Sequence, residues 1–205
     1  MYKYCDIWCD MEAKILSHFF KKAIEQNKVN SQIVLKFLAK TWYGANIKKT
    51  LSGGEKYEYN WLQYIAPSIE SFFTKFEKFI QGDKSFNLYI QEIDSLSLKI
   101  EGIIRDLISL ADVEHFHAFY FDKNKNFSWR NVNQYLKDPN IFNIIPENEV
   151  YFFKYLLTEH KNLRNRVAHS LMFLGEYDIY NMIMVLIAVL RLSKCIVLNK
   201  EKQTT

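Results

Sequence analysis

Residues 162–170 read Asn162-Leu163-Arg164-Asn165-Arg166-Val167-Ala168-His169-Ser170, and this stretch sets how the rest of the chain is understood. At helical period, Leu163, Val167, Leu171 and Leu174 fall on one stripe that should face a core. Asn165 and His169 fall on the opposite side, one turn apart. Arg164 flanks that side with a side chain long enough to reach round the helix. No acidic residue occurs from Lys161 to Gly175, so nothing local neutralises Arg164 and Arg166. A guanidinium, a carboxamide and an imidazole without a carboxylate suit a phosphate better than a metal. Asn162 is placed to act as N-cap. That puts Arg164 and Asn165 in the first turn, where free backbone N–H groups favour an anion.

The stretch resembles the signature of the HEPN superfamily, in which arginine, a polar residue and a later histidine form a ribonuclease site. Here these are Arg164, Asn165 and, after three residues, His169. The wider text from Asn162 to His169 is similar to the asparagine-leucine-arginine-asparagine form of one bacterial HEPN-type domain of unknown function. Upstream, Leu98-Lys99-Ile100-Glu101-Gly102-Ile103-Ile104-Arg105-Asp106 resembles that domain's second signature. The resemblance runs from about Ala66 to about Leu198. Ser170 departs from it, because the family commonly has glycine there, and glycine would end or bend the helix.

The resemblance implies an all-α, HEPN-like helical bundle acting as a metal-independent endoribonuclease, with neither cofactor nor metal. It implies a homodimer in which two motif helices meet and form one composite cleft, in bacterial defence or as a toxin with an antitoxin or sensor protein. Three residues carry the implied catalytic roles: His169 as general acid/base, Arg164 as phosphate clamp and Asn165 as positioning amide. Glu101 and Arg105 are supporting candidates, with Glu101 orienting Arg164 or His169. The alternative is that they form only an i, i+4 ion pair, contributing about 0.3 kcal/mol. Lys161 and Arg166 are candidate RNA contacts.

RNA carries its own nucleophile, the 2′-OH. A metal-free nuclease must remove that proton, stabilise charge on the phosphorane and protonate the leaving 5′-oxygen. An imidazole with a reference pKa near ~6.5 serves as acid or base at cell pH. An arginine holds two phosphate oxygens and stabilises charge that grows in the transition state. Acid and base are two jobs, and one copy of the motif has one histidine. Ala168, Met172 and Phe173 lie around His169 and suit a dimer interface better than water.

The 205 residues suit one domain, or one domain with a helical extension: 1–60 as the extension and 61–205 as the helical domain. A hydrophobic share of 49% with 24% charged residues excludes a disordered chain. Six glycines and three prolines are few, which favours helices. A net charge of +4 permits nucleic-acid binding without requiring it. Three cysteines cannot all pair within the chain, and no neighbouring ligand gives a zinc spacing, so thiols in a reducing cytoplasm are expected. The N-terminus has no signal-peptide pattern. Ile179 to Leu198 is membrane-like in length but carries Asn181, Arg191, Ser193 and Lys194, so it reads as a buried core helix.

In chain order, Tyr4 to Glu25 reads as an amphipathic helix with Ile7, Met11, Ile15, Leu16, Phe19, Phe20 and Ala23 on one side. Ser31 caps a second helix through Ile33, Val34, Phe37, Leu38 and Trp42. Gly44 to Tyr59 reads as a break, with a flexible loop at Gly53-Gly54. A helix follows from Trp61 to Ile80, starting or kinking at Pro67. A longer one runs from Asn87 to Asp112, where Gly102 suggests close approach of another helix. Val113 to Arg130 is irregular. His115 and His117 there read as surface residues. Lys123, Lys125, Phe127, Trp129 and Arg130 form either a strip for unpaired bases or a loop anchored by its aromatics. Asn131 caps a short helix to Lys137, and Pro146 opens one that runs to about Glu159.

The rival to a nuclease is a non-catalytic module of the same fold that binds RNA or a protein. A nucleotide-sensing domain is a third reading.

Overall fold

Residues 2–50, 55–113, 116–121 and 127–195 are described by a computed structural model. Its centre is set by two long helices whose apolar residues recur every three or four positions. In α3 (Trp61–Ile80) these are Ile65, Ile69, Phe72, Phe73 and Phe76. In α4 (Ile90–Ala111) they are Ile93, Leu96, Ile100, Ile103, Ile104 and Leu107. All are buried. α8 (Ile179–Leu192) packs across α4 and is buried without interruption from Met182 to Val189. Among the described residues no helix is long and apolar enough to cross a membrane. The architecture is mostly helical, as the scarcity of turn formers predicts, with 70% helix and 6% strand.

Side-chain caps fix where the helices start. Asn60 accepts the Gln63 N–H at 3.0 Å and begins α3, so Pro67 lies inside the helix. Asp178 accepts from Asn181 at 2.8 Å and begins α8. Asn131 and Gln134 make a reciprocal capping box on α5 (Val132–Lys137). In α2 (Ser31–Ala39) the cap is Asn30, bonded to Ile33 N at 3.0 Å, one residue before the expected Ser31.

α1 (Tyr2–Glu25) corrects the expected facing. Cys9, Leu16, Phe20 and Ile24 turn inward, while Ile7, Trp8, Met11, Ile15 and Phe19 are 51–67% exposed. The helix is apolar on both sides, so periodicity alone does not choose the inner one. Polar anchors choose it. Arg191 donates to Glu12 at 2.6 Å, and Tyr155 donates its hydroxyl to Asp10 at 3.0 Å. The first sixty residues share the core of the rest. The Trp42 indole donates to the Leu192 carbonyl at 2.9 Å and the Tyr43 hydroxyl to the Val189 carbonyl at 3.0 Å.

Two antiparallel hairpins stand where the sequence reads as a break and an irregular segment. β1 (Ile47–Thr50) pairs with β2 (Lys56–Tyr59), with Ile47 opposite Tyr59. β3 (Phe119–Phe121) pairs with β4 (Phe127–Trp129). Gly53-Gly54, His115, Lys123 and Lys125 lie outside the described residues.

Candidate functional site

The motif sits between two breaks in helical geometry. α6 (Glu147–Phe153) widens into a π-helical turn at Lys154–Thr158, and the chain then bends until Asn162, which takes a left-handed conformation at φ 51. α7 (Leu163–Ala168) begins there and is six residues long. Asn162 occupies the N-cap position, but its carboxamide makes no capping bond. It accepts instead from Asn165 Nδ2 at 2.8 Å. The expected anion site at the helix start is thus weakened, since six residues sum little dipole.

α7 ends sooner than the apolar stripe predicts. Leu171 N–H bonds to the Arg166 carbonyl at 2.7 Å and Ser170 N–H to the Val167 carbonyl at 3.1 Å. This is a Schellman closure with Ser170 left-handed at φ 54. Leu163 is buried and Val167 half-buried, but Leu171 and Leu174 are each 60% exposed, so the stripe stops at Val167. Serine does here what glycine would do.

The two motif arginines are not left unneutralised. Arg164 Nε donates to Glu101 Oε2 at 2.6 Å, and Arg164 Nη1 donates to Asn165 Oδ1 at 2.9 Å. Glu101 is buried on α4 and also pairs with Arg105 at 3.6 Å. Arg105 Nε reaches the Tyr135 hydroxyl at 3.4 Å, and its guanidinium lies 5.1 Å from the Trp129 ring centroid. Asn162, Asn165, Arg164, Glu101 and Arg105 therefore form one connected polar chain from α7 to α4. No acid near Arg164 in sequence neutralises it because the neutralising carboxylate comes from another helix.

Arg166 bonds Glu176 through both terminal nitrogens, with Nη1 to Oε1 at 2.7 Å. Glu176 also accepts from Phe173 N–H at 2.9 Å, so the pair closes the loop after α7. The guanidinium holds the Glu176 carboxyl below the usual range, and Glu176 in turn raises Arg166. Lys161 lies with its ammonium 4.9 Å from the Tyr180 ring centroid. His169, at the end of α7, is exposed, and its imidazole makes no hydrogen bond among the described residues. In the segment after it Phe173 is 76% exposed, while Met172 packs partly on the core. Trp129 is 47% exposed, and His117 lies at the surface beside Phe119. Among the described residues no cluster of His, Cys, Asp or Glu converges to hold a metal ion.

A cavity of about 520 Å³ adjoins this chain of polar groups and shares Glu101 with it. Its floor is one face of α4, formed by Ser95, Lys99, Gly102 and Asp106. Its walls come from β2 and the start of α3. The buried Asp106 carboxylate accepts from Lys49, the Tyr59 hydroxyl and the Trp61 indole, the last at 3.0 Å, and so fastens the hairpin and α3 to α4. Trp61 lies so close over Gly102 that a Cβ there would meet the ring at 2.7 Å. The close approach expected at Gly102 is therefore made by an indole. The sequence hides the cavity because Gly44 to Tyr59 reads as a break and not as the β1–β2 pair. The alternation of Tyr57 and Tyr59 in Lys56-Tyr57-Glu58-Tyr59 was the available signal.

No family model matches the chain, and no curated protein or solved structure does. The likeness to the HEPN superfamily rests on residues 98–106 and 162–169 alone.

Proposed function

We propose that the chain is a metal-independent endoribonuclease of HEPN type, acting in the cytoplasm as a homodimer, in a defence or toxin role with an antitoxin or sensor protein. The observation that carries this reading is the placement of His169. Its imidazole is exposed and unengaged among the described residues, and the segment that follows it carries Leu171, Phe173 and Leu174, all at least 60% exposed. An imidazole followed by exposed apolar side chains is suited to a cleft completed by a second copy. In that cleft one His169 takes the 2′-OH proton and the partner's His169 protonates the leaving 5′-oxygen. Arg164 has Nε and Nη1 occupied, and its Nη2 has no hydrogen-bond partner among the described residues, which leaves an edge for a phosphate oxygen. Asn165 holds Arg164 in place, and Lys161 adds positive charge for the RNA strand, while Arg166 is engaged by Glu176 and shapes the loop beside it.

One observation favours the rival. Arg164 is bound to a buried carboxylate, which is what a purely structural arginine does, so a non-catalytic module binding RNA or a protein is the second reading. Incubation of the protein and of His169→Ala and Arg164→Ala with single-stranded RNA in chelator separates the two. The nuclease reading expects cleavage by the native chain and a loss of about 100-fold or more in each variant. RNA that stays intact with the native chain, or is cut at the native rate by either variant, removes it.

A further inference from the structure

We propose that the cavity between β2 and α4 binds one nucleotide unit, a planar base with its phosphate, taken either from a free nucleoside monophosphate or from an unpaired position of single-stranded RNA. The inference does not rest on cleavage at His169. It rests on what the walls offer.

The first offering is aromatic. Tyr57, Tyr59, Trp61 and Tyr64 form one group in which Tyr59 stacks on Tyr57 at 5.5 Å and meets Trp61 and Tyr64 edge-on at 6.0 and 5.6 Å. Tyr59 and Trp61 are buried and held by Asp106, so the group is anchored from behind. Tyr57 and Tyr64 are 40% and 46% exposed, which leaves ring surface at the cavity. Rings of this kind stack on any base.

The second offering is charge. Lys49, Lys99 and Arg105 line the cavity against the two carboxylates Glu101 and Asp106. Lys49 is matched by Asp106 and Arg105 by Glu101. Lys99 has no carboxylate partner among the described residues. Its ammonium is held by the Tyr64 carbonyl at 2.6 Å and the Ser95 hydroxyl at 2.7 Å, both uncharged. A half-buried cation without a counter-charge invites an anion from outside. Burial lowers its pKa, a cost that a bound phosphate would offset. The excess of cations argues against a cationic guest for the same aromatic walls.

The third offering is size. A volume of about 520 Å³ lies within the range of small-molecule sites. Gly102 keeps the floor open to Trp61, and Glu101 links this space to Arg164. A strand held at Arg164 would therefore run beside a base pocket.

The test is a calorimetric titration at low salt of the His169→Ala protein, which cannot cut by the proposed route. The probes are AMP, UMP, adenosine, inorganic phosphate and a single-stranded RNA hexamer. The expected result is saturable binding of a monophosphate or of the hexamer, weakened about tenfold or more by both Lys99→Gln and Tyr64→Leu. Binding of the monophosphate identifies a free nucleotide as ligand, and binding of the hexamer alone identifies a substrate base. Adenosine and phosphate should each bind more weakly than AMP. Should either variant fail to fold, judged by its melting curve, Tyr57→Leu replaces it. The proposal is overturned if no probe binds at millimolar concentration, if binding survives either substitution unchanged, or if phosphate alone binds as tightly as the monophosphate. An absence of RNA cleavage in the native chain leaves each of these results readable.

Discussion

Glu101 and Arg164, 63 residues apart in the chain, meet at 2.6 Å between Oε2 and Nε. That bond ties α4 to α7, and Glu101 also faces Arg105 on its own helix. Replacing Glu101 by glutamine keeps the shape and removes the charge, leaving two half-buried guanidinium groups side by side. Glu101→Gln should destabilise the fold by about 1–3 kcal/mol, read from urea unfolding. Arg105→Gln should cost less, because its contact is 3.6 Å and partly exposed. Equal losses would mean that the α4–α7 bond contributes nothing of its own.

Ser170 holds a left-handed conformation that an L side chain adopts at a cost of about 1–2 kcal/mol. Glycine removes that strain and gives part of the gain back through a freer unfolded chain. Ser170→Gly should therefore stabilise by about 0.5 kcal/mol, a rise in Tm of about 1–2 °C at this chain length. Ser170→Val should lower Tm. A glycine variant that melts below the native chain would show that Ser170 makes a compensating contact.

These two positions mark where the sequence was legible and where it stopped. Trp61 to Ile80 was readable as a helix from its apolar period, but whether it starts or kinks at Pro67 was not, because the start is fixed by the Asn60 cap. The length of α7 was not, because Leu171 and Leu174 continue the helical spacing after the backbone has already turned at Ser170. The facing of α1 was not, because it depends on Glu12 meeting Arg191 and Asp10 meeting Tyr155, contacts made across most of the chain. Glu101 was readable as one of two alternatives, an ion pair with Arg105 or a partner of the motif helix, and it makes both contacts. The cavity was hard to read, since it needs a four-residue strand pairing whose one sign in the sequence is the alternation of Tyr57 and Tyr59.

Gly102 gives a prediction on packing. A methyl group there meets Trp61 at 2.7 Å, and the indole cannot retreat without stretching its 3.0 Å bond to Asp106. Gly102→Ala should destabilise by about 1–3 kcal/mol even though alanine favours helix. It should also narrow the cavity and weaken any ligand there. A melting temperature at or above the native value would show that the wall yields freely.

Glu176 gives a prediction on pH. Its folded-state pKa is depressed by Arg166, so its stabilising contribution is present above the unfolded glutamate pKa near ~4.3 and is lost as pH falls through the lower folded value. Glu176→Gln should be less stable than the native chain at pH 7, by no more than about 1 kcal/mol for so exposed a pair. The two proteins should converge only as pH falls below that lowered folded-state value. A difference that persists unchanged into acid would assign the effect to packing of the loop at Phe173 and not to charge.

Phe173 tests whether two copies meet at the motif. With 76% of its surface exposed, it contributes little to the folded monomer, so Phe173→Asn should leave the melting curve within about 0.5 kcal/mol of native. If the apolar rim around His169 is the meeting surface, losing a central aromatic should weaken association by about 10-fold or more, read by sedimentation velocity over a dilution series. On the proposed nuclease reading, RNA cleavage should fall in the same proportion as the dimer, because one protomer supplies one imidazole and the proposed reaction uses two. A variant that becomes monomeric and still cuts at the native rate would separate the chemistry from the interface. A native chain that is monomeric at all concentrations would remove the composite cleft altogether.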